Sequence, residues 1–243
     1  MTASPSLCFI MSSIGFDVIS DLNLSPDDSF NWEGKATSLY CIIPGNISNN
    51  LRVIKQTLIH LSRFYQGIFY IPGTLEYENV PTLTDRSDEL QRICASIKNV
   101  ASLHNHVVVI DGVAILGSNG WYDNKTTDNP IFNIEKDIQR QEDYIYLSKT
   151  LTRLQLHLDI KKIVMVTNSV PGPALFFGEQ PENLETTVYP QMVLGNDSES
   201  KISHWVYGTY DKTVDATLDS IHYVSNPYFN RKPYWAKRIE VTI

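Results

Sequence analysis

The feature that most constrains this chain is the alternation of two hydrophobic periods along its length. Short apolar runs rich in β-branched and aromatic residues occur at FDVIS (16–20), SLYCIIPG (38–45), GIFYIPG (67–73), HVVVID (106–111), VAILGS (113–118), KIVMVTN (162–168), QMVLG (191–195) and HWVYG (204–208). Their length and composition predict buried strands. Between them the apolar residues recur at helical spacing. Leu51, Ile54, Leu58 and Leu61 share one helix face, as do Leu90, Ile93, Ile97 and Val100 in the stretch 88–100. Ile134, Ile138, Ile145, Leu151 and Leu154 keep a rougher stripe through 134–158, which predicts a third amphipathic helix. Strands alternating with helices specify an α/β protein.

Asp111-Gly112 joins two of the strands and is a strong hairpin signal, because a type I′ turn needs positive φ at both central residues. The sheet arrangement is therefore mixed. Beyond residue 200 the helical patterns stop, and TVDATL (213–218), IHYVS (221–225) and KRIEVTI (237–243) predict an antiparallel finish. The architecture that accommodates all of this is a four-layer α/β/β/α sandwich, with two mixed β-sheets face to face and helices outside. With 243 residues and no Gly-, Ser- or Pro-rich linker, the expectation is one domain over 1–243, its first 15 residues forming an N-terminal extension.

A formal charge of −7 argues against broad nucleic-acid binding, which depends on neutralising phosphates with a basic surface. The local run NRKPYWAKR (230–238) reads as a solvated loop beside the last strand. Cys8, Cys41 and Cys94 are odd in number and lack metal-type spacing, so they are expected as buried thiols. The apolar patch near the start is too short to span a bilayer and lacks a basic leader, which points to a cytoplasmic protein with no membrane association. Asn23, Asn46, Asn124 and Asn196 begin N-x-[ST] triplets, a pattern idle without secretion.

Several strands end in turns with small or polar residues, and such ends are where ligands collect in α/β proteins. In order they are Ser20-Asp21-Leu22-Asn23, Gly45-Asn46, Gly73-Thr74-Leu75-Glu76, Thr167-Asn168-Ser169-Val170-Pro171 and Gly208-Thr209-Tyr210-Asp211. This succession resembles the calcineurin-like metallophosphoesterases, whose members carry D-x-H, G-D, G-N-H-[DE], a histidine after a strand, and G-H-x-H at these points. IPGNISNN, GVAILGSNGWYD and SNPYF add matches, so the resemblance spans roughly residues 16–230. It implies the layered sandwich above and, for the family, two divalent ions that orient a phosphate ester and generate hydroxide.

This chain departs from that pattern at most ligand positions. Asp21 survives, whereas the first histidine is Asn23 and the bridging aspartate is Asn46. The asparagine and histidine of the third motif are Thr74 and Leu75, the next histidine is Asn168, and the last two are Thr209 and Asp211. Asparagine and threonine offer neutral oxygen, not the imidazole nitrogen that suits a transition metal, and leucine offers nothing. A pocket emptied of ions but still lined with acids would crowd carboxylates together, and these replacements remove that penalty. The expectation is a vestigial site without metal or cofactor, its side chains hydrogen-bonded to one another.

The resemblance then implies a pseudoenzyme: a protein-binding, scaffolding or inhibitory module, since related folds without metal ligands serve as structural subunits of larger assemblies. The GWYD turn and short helices resemble bacterial and phage versions. A single Mg²⁺ or Ca²⁺ held by Asp21, Asp211 and the amide oxygens of Asn23 and Asn46 is the weaker alternative; it would leave a divergent phosphomonoesterase or phosphodiesterase. A nucleotide receptor using the old phosphate cleft is a third. Glu76 is expected to be a surface acid or helix cap. None of the six histidines falls at a ligand position; His104-x-His106 lacks further ligands, and His157 closes a long helix. Phe176 and Phe177, in the non-periodic stretch 169–190, are the candidates for facing a partner.

Overall fold

The computed structural model describes residues 12–121, 128–172, 175, 200–228 and 233–243. Phe176, Phe177, Cys8 and the expected strand 191–195 lie outside the described residues. Among those described, eleven strands and three α-helices follow one another as β1 (Ser13–Val18), β2 (Tyr40–Ile43), α1 (Leu51–Leu61), β3 (Gly67–Tyr70), α2 (Leu83–Ala95), β4 (Val100–Ser102), β5 (His106–Ile110), β6 (Val113–Ser118), α3 (Pro130–Leu156), β7 (Lys162–Thr167), β8 (Ile202–Tyr207), β9 (Val214–Leu218), β10 (Ile221–Ser225) and β11 (Lys237–Thr242). A 3₁₀ turn, Leu75–Tyr77, precedes α2.

The strands form two mixed sheets, ordered β11-β1-β2-β3-β4 and β5-β6-β7-β8-β10-β9. In the first, β11 runs antiparallel to β1 and the rest are parallel. In the second, β6, β7, β8 and β10 are parallel, while β5 and β9 close the edges antiparallel. The period-2 alternation of strands explains the layering. Ile42, Phe69, Val164, Val166 and Val206 join Phe16 and Val18 in the core between the sheets. Their neighbours Cys41, Ile43, Ile68 and Tyr70 point the other way, under α1 and α2. Leu116, Ile163, Met165 and Trp205 point outward under α3. The result is the expected α/β/β/α sandwich.

Asp111 and Gly112 turn with φ of 44° and 84°, as the hairpin requires, and β5 pairs with β6 in register. Asn50 caps α1, its side-chain oxygen accepting from Arg52 N and Val53 N. Three boundaries differ from the sequence reading. Strand β1 already begins at Ser13, paired with Thr242, so pairing reaches into the segment expected as an extension. Helix α2 starts at Leu83, capped by Thr82, and ends at Ala95 instead of running to residue 100. Asn99 draws the chain away from the helix by donating its amide to Ser62 O and Tyr65 O, and Val100 enters β4. In α3 the expected stripe is split: Leu151 and Leu154 are buried, but Ile134, Ile138 and Ile145 are exposed. The buried face there carries Lys136, Asp143 and Thr150 instead.

Candidate functional site

The turns after β1, β2, β3, β7 and β8 meet at the carboxyl ends of the parallel strands, where the two sheets face each other. Their side chains form a directed chain of hydrogen bonds. Leu75 N–H donates to Asn46 Oδ1 at 3.0 Å, and Asn46 Nδ2 donates to Asp21 Oδ1 at 2.8 Å and Thr209 Oγ1 at 3.2 Å. The Thr209 hydroxyl donates on to Asn168 Oδ1 at 2.8 Å, and Asn168 Nδ2 to Pro44 O at 2.8 Å. Thr74 N–H reaches Asn168 Oδ1 at 3.1 Å, and Thr209 N–H reaches Asp21 Oδ1 at 2.8 Å. Both amide orientations follow from chemistry, because the backbone N–H of Leu75 and Thr74 can only donate and Pro44 O can only accept.

Of the positions singled out by sequence, Asp21, Asn46, Thr74, Leu75, Asn168 and Thr209 are brought together here, the two third-motif residues through their backbone. Asn23 joins from the exposed rim, its N–H on Asn46 O and its Nδ2 on Asp21 O. Asp211 is exposed and stands outside the network. The backbone is wound tightly at these points: Asp21, Asn23, Asn46 and Thr209 have φ of 51°, 47°, 59° and 56°. Asp and Asn tolerate that region, but a β-branched residue such as Thr209 enters it only when its surroundings hold it there. Gly73 is required by close approach, since a Cβ there would lie 2.2 Å from Asn46 Oδ1 and 2.5 Å from Asn168 Nδ2.

Glu76 corrects the sequence reading. It is fully buried, not a surface acid, and each of its carboxylate oxygens accepts twice. Oε1 takes Ile47 N–H at 2.6 Å and the Tyr70 hydroxyl at 3.1 Å, and Oε2 takes Asn46 N–H at 3.0 Å and Gly73 N–H at 2.8 Å. The side chain thereby clamps the turn after β2 to the turn after β3. Burial pushes its pKa up, and the backbone N–H groups of Ile47 and Gly73 oppose that rise. The available signal was its place as the acid that closes the third motif.

Asp21 is the other buried acid of this network. Burial raises its pKa to about 7; the Asn46 amide and Thr209 N–H pull it down, and the charge of Glu76 pushes it further up. Its second oxygen, Oδ2, is buried with no hydrogen-bond partner. Beside Thr74 lies a cavity of about 400 Å³ whose wall includes Tyr77, Trp121, Phe132 and Lys136. Trp121 Nε1 is buried without a partner.

No protein-family model matches the chain. A curated relative, uncharacterized protein L509 of Acanthamoeba polyphaga mimivirus, is 27% identical over an alignment of 119 residues, with a coverage of 42% of this chain and 42% of that protein. The match thus spans well under half the length of that relative. Among solved structures, phosphopantetheinyl hydrolase PptH of Mycobacterium tuberculosis superposes with a TM-score of 0.61 at 16% identity, covering 93% of this chain and 96% of the other. A protein assigned as a 5′-nucleotidase from Staphylococcus aureus gives 0.52 at 12% identity, covering 94% and 51%. GAP50, the anchor in the inner membrane complex of Plasmodium, gives 0.50 at 9%, covering 87% and 70%. The fold is that of the metallophosphoesterases.

In a metallophosphoesterase fold these turns are where a dinuclear centre is expected, and the donors present do not suit one. The amide oxygens of Asn46 and Asn168 already accept backbone N–H, and Asn46 turns its NH₂, not its oxygen, toward Asp21. Leu75 has no donor atom on its side chain. Asp21 is left as one carboxylate, too little to offset the repulsion between two dications. The weaker one-ion alternative meets the same difficulty, because Asp211 lies apart and the Asn46 oxygen faces Leu75. Among the described residues, no group of three or more His, Cys, Asp and Glu side chains is placed to hold a metal ion. Cys41 and Cys94 are buried free thiols, and no helix among the described residues is long and apolar enough to cross a membrane.

Proposed function

We propose that this chain is a metallophosphoesterase-fold protein without metal-dependent hydrolysis, acting as a protein-binding module, a scaffold or an inhibitor. The observation that carries this reading is the hydrogen-bond chain from Leu75 N through Asn46, Thr209 and Asn168 to Pro44 O. Its members occupy the positions of metal ligands, and their oxygens are engaged with protein donors. A satisfied polar network in a low-dielectric site is self-sufficient and has no need of an ion. GAP50, described as an anchor, is a precedent for this fold in a structural role. The mimivirus relative fits a viral setting, with the protein working in the host cytoplasm.

A second reading keeps hydrolysis. It draws on the unpartnered Asp21 Oδ2, which could face one weakly held ion, and on the hydrolase and nucleotidase neighbours. Elemental analysis of the purified protein, with turnover assays on generic phosphate esters in added Mn²⁺, separates the two. Background turnover and substoichiometric metal are expected. Stoichiometric Mn, Fe or Zn with turnover abolished by Asp21→Ala would establish the enzyme. The cavity beside Thr74 favours a third role as a nucleotide receptor, which thermal-shift titration with nucleotides tests through stabilisation that grows with ligand concentration.

A further inference from the structure

Helix α3 turns its isoleucines outward. Lys136, Asp143 and Thr150, seven residues apart, mark the side buried against the sheet. On the opposite side Ile131, Ile138 and Ile145 also recur every seven residues, with Ile134 between them. They are 59%, 53%, 50% and 61% exposed, and Leu156, the last residue of the helix, extends the line at 76%. At 3.6 residues per turn the four isoleucines fall within an arc of about 60°. Isolated surface apolar residues need no explanation, but isoleucine recurring every seven residues on one exposed helix face, with Ile134, Gln141 and Ser148 between, has the spacing of a helix-pair seam.

We propose that this stripe is a homodimer interface, in which α3 packs antiparallel on α3 of a second copy about a two-fold axis beside Ile145. The residues on the face select that occupant, because an isologous contact must complement itself. With the axis there, Ile145 meets its own copy once, while Ile134 meets Leu156 and Ile138 meets Thr152, each of these pairs occurring twice. Exposed Glu142 and Lys149 flank the stripe on the same side and meet across the axis, again twice. A parallel pairing would instead set exposed Asp137 against Glu142. The helix is roughly 40 Å long at about 1.5 Å per residue. With the axis beside Ile145 the two helices overlap from Ile134 to Leu156, roughly 35 Å of contact at about 1.5 Å per residue.

Sedimentation of the full chain tests this. The expected species has twice the 27.6 kDa chain mass, and Ile138→Glu with Ile145→Glu is expected to reduce it to a monomer. Circular dichroism should show unchanged helical content, and the variant should melt below the parent by a margin that shrinks as the parent is diluted toward its monomer. Lys149→Glu should weaken association about tenfold, and Glu142→Lys added to it should restore it. In a Cys8→Ser background, Ile145→Cys should form an intermolecular disulfide under mild oxidation and Ile131→Cys should not. A monomeric parent protein at 100 µM, as an order-of-magnitude concentration for a weak dimer, would overturn the proposal. So would a dimer indifferent to the double glutamate variant, or equal cross-linking at 131 and 145.

Discussion

Replacing Asp21 by asparagine isolates what this buried acid does to the fold. In the native chain its pKa rises from 3.8 to about 7 because it is buried. The folded state therefore holds a proton that the unfolded state releases between those two values. Stability from this group is complete below about pH 4 and is lost as pH rises through about 7. At about 1.4 kcal/mol per pH unit, the full interval amounts to about 4 kcal/mol. The Asp21→Asn variant keeps an acceptor for Asn46 Nδ2 and Thr209 N–H and abolishes the charge. Thermal melts in chelator at about pH 4 and about pH 8, the two ends of that interval, should show the variant close to the parent at the lower pH. At the higher pH it should melt about 8–16 °C above the parent, at about 2–4 °C per kcal/mol for a chain of this size. If Asp21→Asn lowers the melting temperature at the higher pH, or if stoichiometric Mn²⁺ stabilises the parent but not the variant, the carboxylate has a cationic partner and the reasoning fails.

Other substitutions probe the same framework. Glu76→Gln puts an amide nitrogen opposite two donors, whichever way it is turned, and should cost about 2–4 kcal/mol in urea unfolding, with Gln less damaging than Ala. Asn46→Asp sets a second acid against Asp21 Oδ1 and turns the bond donated by Asn46 into a repulsion; a loss of about 3–5 kcal/mol at pH 8, shrinking below pH 6 where the pair can share a proton, is the expected denaturation result. Gly73→Ala forces a methyl group into Asn46 Oδ1 and Asn168 Nδ2, and a loss of about 1–3 kcal/mol in calorimetry would match an overpacked site.

The sequence carried the layers because strand alternation and helix periodicity are local. The run from Val113 to Ser118 shows residues facing alternate cores, and Asp111-Gly112 shows its turn. The site was legible as a succession of strand-end turns, since each turn follows a strand that the local apolar pattern already marks. Glu76 was not, because an acid beside a short turn reads as surface until the turns after β2 and β3 converge on it and supply four donors. The facing of α3 was also hidden. Its isoleucines have a regular period, but its true inner face holds Lys136 and Asp143. Which of two stripes turns inward depends on polar partners such as Asn105 Nδ2, which reaches Asp143 from the turn between β4 and β5, alongside Gln139 Nε2 one turn earlier on the helix.

The geometry of the network explains how the five turns are held in place by their own side chains. Two ions bound among five turns would act as a cross-link between the sheets, and simple deletion of their ligands would release the turns. Here hydrogen bonds make that cross-link. Asn46 belongs to the first sheet and Thr209 and Asn168 to the second, so the bonds from Asn46 to Thr209 and from Thr74 to Asn168 tie the sheets together. Glu76 secures the first-sheet turns from behind. Each neutral hydrogen bond contributes about 1 kcal/mol, but losing one partner leaves a buried donor or acceptor stranded at a larger cost. The network is therefore expected to behave as a unit. Double-mutant cycles between Asn46 and Asn168, which bond through Thr209 and not directly, should yield a coupling above about 0.5 kcal/mol. Simple additivity between them would mean that the turns are held independently, and that the polar chain is a by-product of the fold and not its fastening.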